Sequence, residues 1–155
     1  MKYEWIDYSH EHNVLVDSWL DVEAIRFTGC DEGFDRFYNY WFDEPETKIG
    51  ENFWAKIILE DHVPVGIIVI SLWEDIFTIS EIIICPEKRG KGIGTKALKE
   101  MLFYAGNIIG FDINHSRAVI FPNNIASQKA FEKAGFVFHS EHPDGDAWYY
   151  EYIRS

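Results

Sequence analysis

With 155 residues, 47% hydrophobic and 26% charged, the chain has the length and balance of one domain built on one sizeable core. Its 26 acids against 14 Lys and Arg give a net charge of −12, which argues against a nucleic-acid partner and suits a cationic one. Met1 to His10 lacks the basic start and apolar run of a signal peptide, and no apolar stretch approaches the roughly 18 residues of a membrane span, so a cytoplasmic protein with no membrane partner is expected.

Taken in chain order, Tyr3 to Ile6 reads as a short strand. Helical apolar spacing follows in Val14 to Ile25 and in Phe34 to Phe42, the second rich in aromatics and closed by Pro45. Phe53 to Leu59 and Val65 to Leu72 are β-branched strands joined through Glu60 to Pro64. Phe77 to Cys85 is a third strand of this group, and its Ile82-Ile83-Ile84 end suits burial on both faces. After Pro86, the stripe Ile93, Ala97, Leu98, Met101, Leu102 and Ala105 marks an amphipathic helix that Gly106 or Gly110 ends. Arg117 to Phe121 is a strand, and Asn124 to Ala134 a helix with Gly135 at its C-cap position. Phe136 to His139 and Ala147 to Ile153 close the chain as a hairpin through Asp144-Gly145. The order β, α, α, β, β, β, α, β, α, β, β predicts a single mixed α/β (α+β) domain over 1–155, with a central sheet of about seven strands and four helices.

Two cysteines, Cys30 and Cys85, are too few for a disulfide framework, and neither they nor the His10 and His12 pair has metal-ligand spacing, so no metal is expected. The functional signal lies instead in Lys88 to Lys99, where five positive charges and three alternate glycines follow a buried strand in an otherwise acidic chain. Unpaired amides and the partial positive charge of a helix N-terminus make such a segment an anion site. The P-loop spacing fails because Gly94-Thr95-Lys96 has the last residues in the wrong order, and a dinucleotide fingerprint would need glycine at Thr95. A third pattern, [RQ]-x-x-G-x-[GA], is met by Arg89-Gly90-Lys91-Gly92-Ile93-Gly94.

With Ile84 to Lys88 before it, that segment resembles the signature of the GNAT family of N-acetyltransferases, and Asn124-Ile125-Ala126-Ser127-Gln128-Lys129-Ala130-Phe131-Glu132-Lys133-Ala134-Gly135-Phe136 is similar to the family's N-x-x-[AS]-x-x-x-[YF]-x-x-x-G-F block. The element order fits the same fold along the whole chain. The resemblance implies acetyl-CoA as cosubstrate. The backbone of Ile82, Ile83 and Ile84 would run along the pantetheine arm, and the segment Arg89, Gly90, Lys91, Gly92, Ile93, Gly94 and Thr95 would hold the diphosphate, with Arg89 and Lys91 adding charge. Asn124 and Ser127 fall within the cofactor-binding block; Asn124 is expected to bond the pantetheine or to cap the last helix. Phe131 would lie near the thioester sulfur, where many family members carry a tyrosine that protonates the departing thiolate. Phenylalanine has no proton to give, which leaves water, Tyr149 or Tyr150 as substitutes.

The implied chemistry is direct attack by an amine in a ternary complex, and an alkyl amine must first lose a proton. Glu81 is the first candidate for the base, ahead of Asp75 and Glu74. The segment Ser9 to Glu51, expected to build the acceptor side, holds Glu11, Asp17, Asp21, Glu23, Asp31, Glu32, Asp35, Asp43, Glu44, Glu46 and Glu51 among aromatics. Either these line a pocket for a small cationic or peptide amine, or they are the outer faces of two helices whose aromatics are core. A GNAT-fold module that binds acyl-CoA with little turnover is the alternative, and the expected assembly is a monomer or homodimer.

Overall fold

The computed structural model describes every residue except Gly29, Asp31, Asp43, Glu44 and Ser155, and the side chains of Phe37, Tyr40, Trp41 and Phe42. Seven strands form one sheet: β1 (Glu4–Asp7), β2 (Phe53–Glu60), β3 (Val63–Trp73), β4 (Ile76–Ile84), β5 (His115–Ile120), β6 (Val137–Glu141) and β7 (Trp148–Ile153), in spatial order β1-β2-β3-β4-β5-β7-β6. All neighbours are antiparallel except β4 and β5.

The two hairpins of the first half are tighter than their sequences suggest. Asp61 and His62 have φ of 50° and 68°, and Glu74 and Asp75 have φ of 51° and 66°. Positive φ at both central residues is the twist that joins two antiparallel strands through two residues. Val63 and Pro64 therefore belong to β3 rather than to the connection, and Pro64 is tolerated because the register shifts there, beside Leu59.

Helices cover both faces. On one face, α4 (Ile93–Ile108) and α5 (Ile125–Lys133) pack Leu98, Met101, Leu102, Ala105 and Phe131 into a core with Ile68, Ile70, Phe77 and Ile79. On the other, α1 (Asn13–Asp17), α2 (Val22–Thr28) and α3 (Phe34–Phe42) bring Val16, Trp19, Phe34 and Tyr38 onto Ala55, Ile57, Ile67, Val69 and Ile83. The helix expected over Val14 to Ile25 is thus two helices, and the described residues form five α-helices rather than four. Asp21 causes the break: its carboxylate accepts the Ala24 N–H at 2.9 Å and its carbonyl accepts the Ile25 N–H at 3.0 Å, which starts α2 afresh. Asp17 likewise accepts the Phe34 N–H at 2.8 Å, at the start of α3.

The irregularity that matters for function lies in β4. Val69 pairs with Glu81 but Ile70 pairs with Ile79, so Ser80 is an extra residue, a β-bulge. One inserted residue exchanges the two faces for everything beyond it. Accordingly Phe77 and Ile79 sit in the α4 core, whereas Ile83 sits in the α1–α3 core. Glu81, paired with Val69, is turned toward the α2 side instead of into the α4 core.

Candidate functional site

β4 and β5 pair only over Phe77–Ile79 and Ser116–Ala118, and beyond the bulge the two strands part. The gap is a cleft of about 450 Å³ whose walls are the end of β4, the loop into α4, the first turn of α4, α5 and α2. Of the thirteen residues expected to hold the cofactor, all but Lys91 line it: Ile82, Ile83 and Ile84 along one wall, Arg89, Gly90, Gly92, Ile93, Gly94 and Thr95 across the mouth, and Asn124, Ser127 and Phe131 opposite. A wider, shallower groove of about 710 Å³ on the outer side of α4 contains none of them.

Parting leaves backbone groups of β4 without a strand neighbour. Cys85 N–H donates to Val65 C=O at 2.8 Å, so by the alternation of an antiparallel ladder the polar groups of Ile84 and Ile82 point the other way, into the gap. Arg89 Nε takes the Ile84 carbonyl at 3.1 Å. The N–H and C=O of Ile82 and the N–H of Ile84 are what the strand offers a ligand.

At the mouth, Gly92 is the N-cap of α4 with φ 80°, and Gly90 has φ 76°. Those left-handed conformations suit glycine, and a Cβ added at either would meet nothing within 4 Å, so this backbone faces open space. Lys96 N–H closes the first turn on Gly92 C=O at 3.1 Å, which leaves the amides of Ile93, Gly94 and Thr95 without an intrahelical acceptor. Three outward-facing amides at a helix N-terminus are the chemistry that suits an anion.

Arg89, besides lining the mouth, makes long-range bonds that its sequence position does not announce. Its Nη1 donates to Asp21 Oδ2 at 2.6 Å and its Nη2 to the Trp19 carbonyl at 3.3 Å, so the guanidinium ties the end of β4 to the corner between α1 and α2. The charge expected to serve the diphosphate is already neutralised. The Ala24 amide, and then Arg89, hold the Asp21 carboxyl below its ordinary range.

Glu81 lines a second, smaller cavity of about 50 Å³ that adjoins the cleft and shares Phe27, Thr28, Ile82, Asn124, Ser127 and Phe131 with it. Burial pushes its carboxyl well above the usual carboxylate value of 4.5. Glu74 and Asp75 occupy the β3–β4 turn instead, and neither lines the cleft or the cavity.

On α5, Asn124 Oδ1 accepts the Ser127 N–H at 3.2 Å, the capping role, while the residue also lines both spaces. Phe131 is 4% exposed, and its ring meets Phe136 edge to face at 5.0 Å. Phe136 N–H donates to Phe131 C=O at 3.0 Å around Gly135, whose φ is 105°, so Phe131 closes the helix C-terminus as well as the cleft. Neither tyrosine expected to substitute for it lines the cleft. The Tyr150 hydroxyl donates to Glu132 at 3.3 Å, and Tyr149 stacks under Arg117 at 4.6 Å.

The acceptor-side aromatics divide. Phe34 and Tyr38 are core, whereas Phe37, Trp41 and Phe42 lie outside the residues whose side chains are described. Among the acids, Asp17 and Asp21 bond helix N-termini, Asp35 meets His10, Glu32 pairs with Arg36, and Asp31, Asp43 and Glu44 lie outside the described residues. Among the described residues of this segment, Glu23, Ala24, Phe27 and Thr28 reach the cleft. Ala24, Phe27 and Thr28, with Lys88, Leu98, Ala126, Lys129, Ala130 and Lys133, are lining residues that sequence reasoning missed, whereas Glu23 was among the acids it named. The spacing 126, 129, 130, 133 is the one signal that marked the α5 group as a single helix face.

Comparison with solved structures returns the same fold. A domain from Methanocaldococcus jannaschii superposes with TM-score 0.76 at 24% identity, covering 99% of each chain. Aminoglycoside acetyltransferase AAC(6')-Ib in complex with coenzyme A and kanamycin matches at TM-score 0.76 and 19% identity, over 98% of this chain and 95% of that one. Spermidine N-acetyltransferase from Vibrio cholerae with CoA and spermine matches at 0.73 and 12%, over 98% and 95%. A search of the curated proteins returns no match. The family model "Acetyltransferase (GNAT) family" matches residues 12–136, and with it this chain belongs to the GNAT family of acetyltransferases.

Proposed function

We propose that the chain, as one domain, transfers the acetyl group of acetyl-CoA to a primary amine of a small cationic acceptor within a ternary complex. The observation that carries this reading is the parting of β4 from β5, with a glycine-lined helix N-terminus at its mouth and a desolvated carboxylate in the small cavity that adjoins it. The named partners of the fold's neighbours, kanamycin and spermine, are both polyamines, which supports a cationic acceptor.

In this reading acetyl-CoA supplies an activated thioester, and the chain supplies position and charge. Amides of Ile93 to Thr95 and the α4 dipole hold the diphosphate. Free groups of Ile82 and Ile84 pair with the pantetheine amides as an added strand would. Asn124, already fixed by its capping bond, offers its amide N–H₂ to the same arm. Glu81 takes the proton of the incoming amine, directly or through water, because a carboxyl raised by burial is a stronger base than an ordinary one. With no hydroxyl at Phe131, protonation of the leaving thiolate falls to water, which a thiol with a pKa of about 8.5 tolerates.

The test is release of free CoA thiol from acetyl-CoA on addition of a panel of amines: polyamines, aminoglycosides, lysine peptides and neutral amines. Faster release with the cationic members is expected, with a rate rising as pH approaches neutrality. Micromolar CoA binding without amine-dependent release would favour the binding-module alternative, which the buried, hydroxyl-free Phe131 motivates.

A further inference from the structure

The cavity of about 50 Å³ that holds Glu81 is mostly apolar. Its apolar walls include Phe27 of α2, Ile79 and Ile82 of β4, Val119 and Phe121 at the end of β5, and Phe131 of α5. Among the described residues no Lys, Arg or His lines it, so Glu81 is its one charged group.

The cavity reaches the surface on the face of the sheet away from α4. Ala118 and Ile120 belong to the α4 core, so by the alternation of a strand Val119 takes the opposite face. Phe121 joins it there, with its ring 6.5 Å from that of Phe27 on α2. Val119 and Phe121 are each 38% exposed, which makes this wall the border between the cavity and solvent. The glycine-entered end of α4 and the body of α5 lie on the other face. A molecule that comes in past Val119 and Phe121 therefore reaches Glu81 without crossing the cofactor cleft.

Size decides what can come in. At roughly 10–15 Å³ for each water-sized group, the cavity takes about four such groups, an ammonium and the methylenes next to it. A branch on the nitrogen-bearing carbon would have to displace Phe27 or Phe121, two rings already within contact distance of each other, and a packed wall yields to an added methyl only at a cost.

Resting on the acetyl-transfer reading above, we infer that Phe27 and Phe121 make the acceptor site selective for a primary amine carried on an unbranched methylene, against amines on a branched carbon such as those of α-amino acids and ring-bound amino groups. The selection concerns the reacting end alone, because the remainder of the acceptor stays outside, beyond Val119.

The test compares two dications of equal charge, cadaverine and its analogue with a methyl on each nitrogen-bearing carbon, by CoA thiol release from acetyl-CoA. The unaltered protein should favour cadaverine in kcat/KM by about tenfold or more, the discrimination that one methyl group commands in an apolar pocket. In Phe121→Ala the preference should fall below about threefold, chiefly through faster turnover of the branched diamine. CoA affinity should stay as it was, because Phe121 lines the cavity and not the cleft, and the same titration certifies the fold. Phe121→Leu, which keeps most of the bulk, should restore most of the preference. Equal turnover of the two diamines by the unaltered protein, or an alanine variant that slows both alike, overturns the selectivity while acetyl transfer stands. If CoA binds but no amine releases thiol, the transfer reading itself falls, and the selectivity with it.

Discussion

The two ends of β4 behave as two different materials. Up to Ile79 the strand is paired on both sides, and its side chains Phe77 and Ile79 alternate cleanly into the α4 core. Beyond the Ser80 bulge it is paired on one side only, its faces are exchanged, and its free backbone lines a cleft, with Glu81, a carboxylate raised well above its usual range, at the junction. The first end contributes stability through burial and ladder bonds. The second forgoes half of its ladder, and the groups it leaves open are what a ligand can use. Binding capacity in this fold is backbone pairing withheld at one place.

Gly92→Asp breaks the open end most severely. A carboxylate at the anion cradle should weaken CoA binding by about a hundredfold or more, since like-charge juxtaposition costs several kcal/mol. Gly92→Asn carries the same positive-φ strain without the charge and should keep most of the affinity; calorimetric titration of both separates charge from strain. A comparable loss in the asparagine variant would remove the cradle from the argument.

At the junction, Glu81→Gln should lower kcat by about a hundredfold if the carboxylate is the base. It should also alter stability in a pH-dependent way. Burial raises the folded-state carboxyl above its unfolded value of 4.5, so the folded chain binds that proton more tightly. Stability from this group is therefore fully present below the unfolded value and declines as pH rises toward the folded one. The variant should melt above the parent at neutral pH and close to it near pH 4. Equal melting shifts at both pH values would show that Glu81 is not desolvated.

Arg89→Ala probes how the open end of β4 is fastened to α1 and α2. Three hydrogen bonds are lost, but Asp21 and Arg89 are partly solvated, so the cost should be about 1–2 kcal/mol in chemical denaturation. It should also raise KM for the amine more than for acetyl-CoA, because α2 supplies Phe27 and Thr28 to the cavity beside Glu81. The smallest effect is expected of Phe131→Tyr. Added to a ring packed on Phe136, the hydroxyl should cost about 1 kcal/mol or less and raise kcat a few-fold at most, since the leaving thiolate needs little help.

Much of this molecule was legible without coordinates, because local chemistry carried it. Gly90 and Gly92 were readable because positive φ at a helix N-terminus selects glycine. Asn124 was readable as a cap, and Gly135 as a C-cap, from residue type and position alone. The Asp21–Arg89 pair was not legible for one reason: the two lie 68 positions apart, and charge in a sequence reads as solvent or ligand until its partner is found. Of the acids of the acceptor segment, Asp17 and Asp21 are helix caps and Glu32 is in a local ion pair, whereas Glu23 lines the cleft.

What the sequence by itself determined is the order of elements, the alternation that sets their buried faces and the glycine-entered N-terminus of α4, since each depends on φ/ψ preference and apolar period within a few residues. Only the tertiary structure decided where β4 leaves β5, which way Glu81 turns and which cations are paired. Those outcomes follow from one extra residue in a register and from partners distant along the chain, and no local preference encodes either.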